Sequence, residues 1–153
     1  QYLQQKGNDE LAVLFGELLK NKGIEVPTPI LQKIVDLLKE RATFVNDFWE
    51  LGKFFFEAPT QYDEKAMKKQ WKEQSPLIVE EVAALLRNAT DFEARGLEGI
   101  VKQYIADKEL GLGQVMPVLR LALVGELKGP DIFDIMEVIG KEETVNRLFR
   151  ILG

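Results

Sequence analysis

The 153-residue chain contains no histidine and no cysteine. Without imidazole or thiolate, an ordinary zinc site cannot be assembled. A Ser-His-Asp or Cys-His nucleophilic arrangement is impossible for the same reason. The missing cysteines exclude a small disulfide-held scaffold and fit a reducing cytoplasm, the expected compartment. No apolar run approaches the roughly 18 residues that suggest a membrane-spanning helix, so no membrane partner is expected. The opening QYLQQKGNDE lacks an initiator Met and the basic-then-apolar pattern of a signal peptide. The expectation is a piece cut from a longer protein. No glycine-rich strand-to-helix turn is present to cradle a phosphate.

What is present is a globular composition, 46% hydrophobic, long enough for one domain or two small helical ones. The 25 Asp and Glu leave carboxylate chemistry open, but no isolated acidic pair stands in an apolar setting. The formal net charge of -5 argues mildly against non-specific nucleic-acid binding and leaves a local basic site possible.

Helical periodicity runs almost throughout. Leu11, Leu14, Phe15, Leu18 and Leu19 recur at i, i+3, i+4, i+7 and i+8, with Asn8 as the expected cap. Thr28 and Pro29 open a long predicted helix that continues to Phe56, with Gly52 as its bend or end. Asp63 is placed to cap the lysine-rich segment EKAMKKQWKEQ. Ser75-Pro76 opens the next helix, and Thr90 and Glu93 have capping-box spacing for the one after. Gly111 and Gly113 punctuate before a further helix. Gly129-Pro130 is read as another helix start, with Pro130 at the first helical position. The predicted fold class is all-α, a helical bundle of about eight helices in two closely packed subdomains, residues 1–60 and 61–153.

The run PVLRLALVGELKGPDIFDIMEVIGKEETVNRLFRIL carries a recognisable pattern. Pro117, Arg120, Ala122, Leu123 and Gly125 are followed by Pro130, Ile132 and Phe133. Gly140, Lys141 and Glu142 come next, then Arg147 and Leu148. This resembles the C-terminal end of bacterial glutamyl-tRNA synthetases, which show Pro-Leu-Arg-x-Ala-Leu-Thr-Gly, Pro-x-Leu-Phe and Leu-Gly-Lys-Glu in that order. The departures are Val118-Leu119 before the arginine, Val124 where threonine is usual, and Gly129 where serine or threonine is common. Upstream, LLKERATFVNDFWELGKFFFE, YDEKAMKK and LEGIVKQYIADKELGLGQVMP also look like that family, so the resemblance covers most of the chain.

The resemblance implies a helical anticodon-binding region without a catalytic site or a cofactor of its own. Attachment of glutamate to tRNA, with ATP and magnesium, would belong to an upstream catalytic domain of the same chain. The implied partner is glutamate tRNA, bound through its anticodon loop by a protein expected to be a monomer. The implied contact residues are Arg120, Gly129, Pro130, Ile132 and Phe133, with Arg41 as the match for an arginine that helps identify the third anticodon base. Such a site needs apolar platforms for unstacked bases and a few hydrogen-bonding groups for their edges. The N–H groups at a helix start are a further expected source of contacts.

Taken singly, these residues have plainer readings. Phe133 suits a core position beside Ile132 and Met136, Pro130 suits a helix start, and Arg120 suits a surface or helix-dipole role. Arg41 suits a solvated Lys39-Glu40-Arg41 face. Lys65, Lys68, Lys69 and Lys72 suit either a backbone contact to RNA or a solvated face, with Asp63, Glu64 and Glu73 among them. A helical protein-interaction scaffold without RNA binding is the alternative function. An autonomous carboxylate enzyme is disfavoured by the absences above.

Overall fold

The computed structural model describes residues 7–42 and 45–153. Among them every regular element is helical, so the all-α expectation holds. The eight α-helices are α1 (Asn8–Asn21), α2 (Thr28–Leu38), α3 (Val45–Gly52), α4 (Glu64–Gln70), α5 (Ser75–Arg87), α6 (Ala94–Asp107), α7 (Leu112–Val124) and α8 (Ile132–Arg150). Two compact units divide at Phe56 and Glu57, a few residues before the boundary the sequence suggests.

In the first unit α1 and α2 pack on each other, and α3 contacts both. Leu11, Phe15 and Leu19 of α1 are buried, as are Ile34, Val35 and Leu38 of α2. Each such side chain contributes about 1.5–3 kcal/mol when fully withdrawn from water. The Phe48 ring lies 5.5 Å from that of Phe15, and Trp49 stacks on Phe56 at 6.2 Å.

The single long helix expected from Thr28 to Phe56 is instead two. Lys39–Arg41 tightens into a 3-10 turn, and Ala42 is extended at φ -103°, ψ 142°. The break lets α3 fold back. A Cβ on Gly52 would meet Leu38 Cδ1 at 2.5 Å, although 14 residues of continuous helix would separate the two by about 21 Å. Hydrophobic contact between distant parts of the segment has overridden its helical propensity. The predicted continuation through residues 43 and 44 lies outside the described residues.

In the second unit α8 packs against α5, α6 and α7. Val79, Val82 and Leu86 of α5, Leu97 and Val101 of α6, and Val118, Leu119 and Ala122 of α7 form a buried core with α8. Gly140 interrupts α8 at φ 88°, ψ 168°.

Several helix starts differ from the sequence reading. Asn8 and Thr28 are the first residues of their helices, with Gly7 and Pro27 in the cap positions. The Thr90–Glu93 capping box does not form at α6. Glu93 is extended, and the Ala94 N–H donates to Glu137 Oε1 at 2.8 Å, so a carboxylate distant in sequence replaces the local cap. Asp63 does cap α4, accepting from the Lys65 N–H at 3.3 Å. Ser75 opens α5 and accepts from the Lys72 N–H at 2.8 Å.

Candidate nucleic-acid interface

The link between α7 and α8 holds most of the residues singled out in the sequence. Gly125 ends α7 in the left-handed region at φ 88°, where a side chain is strained. The position is also tight, since an added Cβ would lie 2.8 Å from the Gln61 carbonyl oxygen. Gly129 follows at φ 126°. The glycine that departs from the family's serine or threonine therefore occupies a backbone conformation that favours glycine.

Arg120 lies in the last turns of α7, half-buried. Its guanidinium donates to the Pro130 carbonyl at 2.8 Å and, at 3.5 Å, to that of Lys128. The mid-helix arginine thus ties the link back to the helix it leaves. Met116, Pro117, Arg120, Leu127 and Ile132 line a shallow cleft of about 220 Å³ there. Its walls are largely apolar and a guanidinium stands among them.

The helix start itself is built differently from the expectation. Pro130 precedes the cap, and Asp131 is the cap residue of α8. Asp131 Oδ1 accepts from the Phe133 N–H at 2.8 Å and from the Asp134 N–H at 3.3 Å. Those two donors are therefore engaged within the protein, because an acidic residue at the cap supplies the missing acceptor. Burial also corrects the expected platform. Phe133 is 0% exposed, so its ring belongs to the core and offers no face for stacking. Ile132, at 2%, contributes only to the wall of the cleft.

Arg147, part of the family pattern, is a buried tie. It is 2% exposed, donates from Nε to Glu143 at 2.7 Å, and reaches the Leu123 carbonyl at 2.8 Å. Burial lowers its pKa from the ordinary arginine value, while the hydrogen bond and charge of Glu143 work the other way. The segment around it, Thr144-Val145-Asn146-Arg147-Leu148-Phe149-Arg150, mixes polar and apolar residues. Periodicity alone did not distinguish a buried tie from a helix-end charge.

Arg41 stands in the first unit, exposed, at the end of the 3-10 turn that closes α2. The expected mid-helix location is thus replaced by a turn. Among the described residues no cluster of His, Cys, Asp and Glu suits a metal. No helix among them is long and apolar enough to cross a membrane.

A helical bundle whose residues 10–152 match the anticodon binding domain family places the chain in a defined class: it belongs to that family. The particular relatives are glutamate–tRNA ligases. The chain is 49% identical over its whole length to that of Flavobacterium johnsoniae, of which it covers 30%, and 48% identical over 98% of its length to that of Phocaeicola vulgatus, again covering 30%. Among solved structures it superposes on a glutamate tRNA ligase from Elizabethkingia meningosepticum with TM-score 0.94 and 44% identity, covering 98% of this chain and 30% of that one. The chain thus spans about 30% of the length of the relatives it matches and corresponds to their C-terminal region.

Proposed function

We propose that this chain recognises the anticodon loop of glutamate tRNA as part of a glutamate–tRNA ligase. The observation that carries the proposal is the match to an anticodon-binding domain across residues 10–152, among relatives that are glutamate–tRNA ligases. On this reading, ATP, magnesium and the attachment of glutamate belong to the part of the ligase outside this chain, and the setting is the cytoplasm. A monomer remains the expected state.

Arg120 and Gly129 form the proposed contact surface, and the buried Pro130 positions Arg120 through its carbonyl. A guanidinium at the rim of an apolar cleft suits an unstacked base, offering donors to its edge and an apolar wall to its face. Ile132 supplies part of that wall, while Phe133 supports it from within the core. Arg41 is the proposed reader of the third anticodon base.

The test is a binding titration at fixed salt with stem-loops carrying the glutamate anticodon, the glutamine anticodon and an unrelated one. Preference for the glutamate stem-loop is the expected result. Absent binding of all three would favour the scaffold alternative, and equal binding of all three would overturn recognition of the anticodon.

A further inference from the structure

The two faces of α4 differ in chemistry. Ala66 is buried, and Met67 and Gln70 are half-buried, in a helix that packs on α7. Lys65, Lys68 and Lys69 are exposed at a spacing that sets them along one side of a helix. Lys72, also exposed, follows just past the end.

Among the described residues, none of these four lysine side chains has an ion-pair or hydrogen-bond partner. Several cations elsewhere in the same unit are matched. Arg95 and Lys102 pair with Glu98, and Lys108 pairs with Glu81. The unmatched lysines are notable because residues 57–153 carry 13 Lys and Arg against 17 Asp and Glu, a net of -4. The nearby acids stand at the margins, with Asp63 and Glu64 at one end and Glu73 at the other. Asp63 is partly engaged as the cap of α4.

The helix is also anchored at the candidate interface. The Asp63 N–H donates to the Gly125 carbonyl at 2.8 Å, where α7 gives way to the link bearing Gly129 and Pro130. Seven helical residues extend only about 10 Å, so the lysines stay near that anchor. A cationic strip continuous with a loop-binding site suits the phosphates of the stem that carries the loop.

We propose that Lys65, Lys68, Lys69 and Lys72 hold the phosphate backbone of the RNA stem adjoining the anticodon loop. This rests on the anticodon-binding reading, and its test separates the two. The chain and its Lys65→Gln/Lys68→Gln/Lys69→Gln variant are titrated over a range of salt against a glutamate anticodon stem-loop and the same stem with an altered loop. Glutamine retains helix propensity and removes the charge.

The variant should bind both RNAs about tenfold or more weakly at low salt, by a common factor. The slope of log affinity against log salt should shrink by about 2, since each lost phosphate contact removes roughly 0.7–0.9. A Lys102→Gln/Lys108→Gln control, with two charges removed elsewhere in the unit, should remain within about twofold of wild type. Wild-type affinity and slope in the triple variant would overturn the lysine proposal and leave the anticodon reading intact. A loss confined to the cognate loop would also overturn it, by assigning the lysines to bases. Failure of the wild-type chain to bind any stem-loop would remove both proposals.

Discussion

Two arginines in the second unit make the same kind of bond in opposite surroundings. Arg147 is buried and reaches the Leu123 carbonyl, near the end of α7. Arg120 is half-buried and reaches the Pro130 carbonyl, near the start of α8. Both secure the link between the helices. Removing the first leaves a carbonyl in a dry core, whereas the second lies beside a cleft that a ligand can enter. Similar hydrogen bonding is thus compatible with fixed architecture at one end of the link and with recognition at the other. Phe133 lies on the core side of that division despite neighbouring the cleft.

The largest expected effect breaks the buried side. Phe133→Ala should destabilise the chain by about 3–5 kcal/mol, the usual cost of emptying a core aromatic site. Urea unfolding measures it. A cost below about 1 kcal/mol, with affinity for the glutamate stem-loop reduced, would move the ring from core to interface. Arg147→Met comes next. It keeps an apolar side chain in the site but leaves the Leu123 carbonyl unmatched, for a stability loss of about 3 kcal/mol at most. Stem-loop affinity of the folded variant should not change. An affinity loss without a stability loss would erase the distinction between the two arginines.

Arg120 gives the reciprocal pattern. Arg120→Ala should cost about 1 kcal/mol of stability, because its carbonyl partners are nearer water. It should cost about 2 kcal/mol of binding to the glutamate stem-loop, within the range of a base-edge contact. Unfolding curves and titrations on the same preparations separate the two effects. Unchanged affinity in a folded Arg120→Ala variant would reduce Arg120 to a tie for the link.

The helical class and most helix positions were legible because burial repeats at helical spacing, as in Leu11, Phe15 and Leu19. The break after α2 was not legible, because both halves carry helix-compatible residues and the contact of Gly52 with Leu38 is tertiary. Likewise, the acceptor at the start of α6 comes from Glu137, 43 residues away, which no local capping rule anticipates. At the candidate interface the order of residues was legible, but their exposure was not. For Phe133 the core and platform readings were both open, and packing decides for the core, while Arg147 is buried despite polar neighbours in the sequence. Gly129 stands in the sequence only as a departure from serine or threonine, and its φ of 126° gives the backbone reason for glycine.

The smallest expected effect concerns base discrimination in the first unit, where Arg41 is exposed on a turn. Glutamate anticodons end in C and glutamine anticodons end in G. The Watson–Crick edge of C presents a carbonyl oxygen and a ring nitrogen as acceptors, which an arginine fork can satisfy. The corresponding part of G presents N–H donors, so donors would face donors and remain unmatched. In a partly hydrated site this mismatch is worth about 1 kcal/mol, the low end of the cost of an unpaired polar group. Arg41→Gln offers a donor and an acceptor on one amide and can accommodate either edge. The ratio of dissociation constants for stem-loops ending in G and in C should therefore narrow about fivefold in the variant, with helicity by circular dichroism unchanged. An unchanged ratio would return Arg41 to the solvated surface and direct the search to another polar residue of the same turn. A fall in affinity by the same factor for both stem-loops would instead assign Arg41 to a phosphate, because a backbone contact carries no base identity.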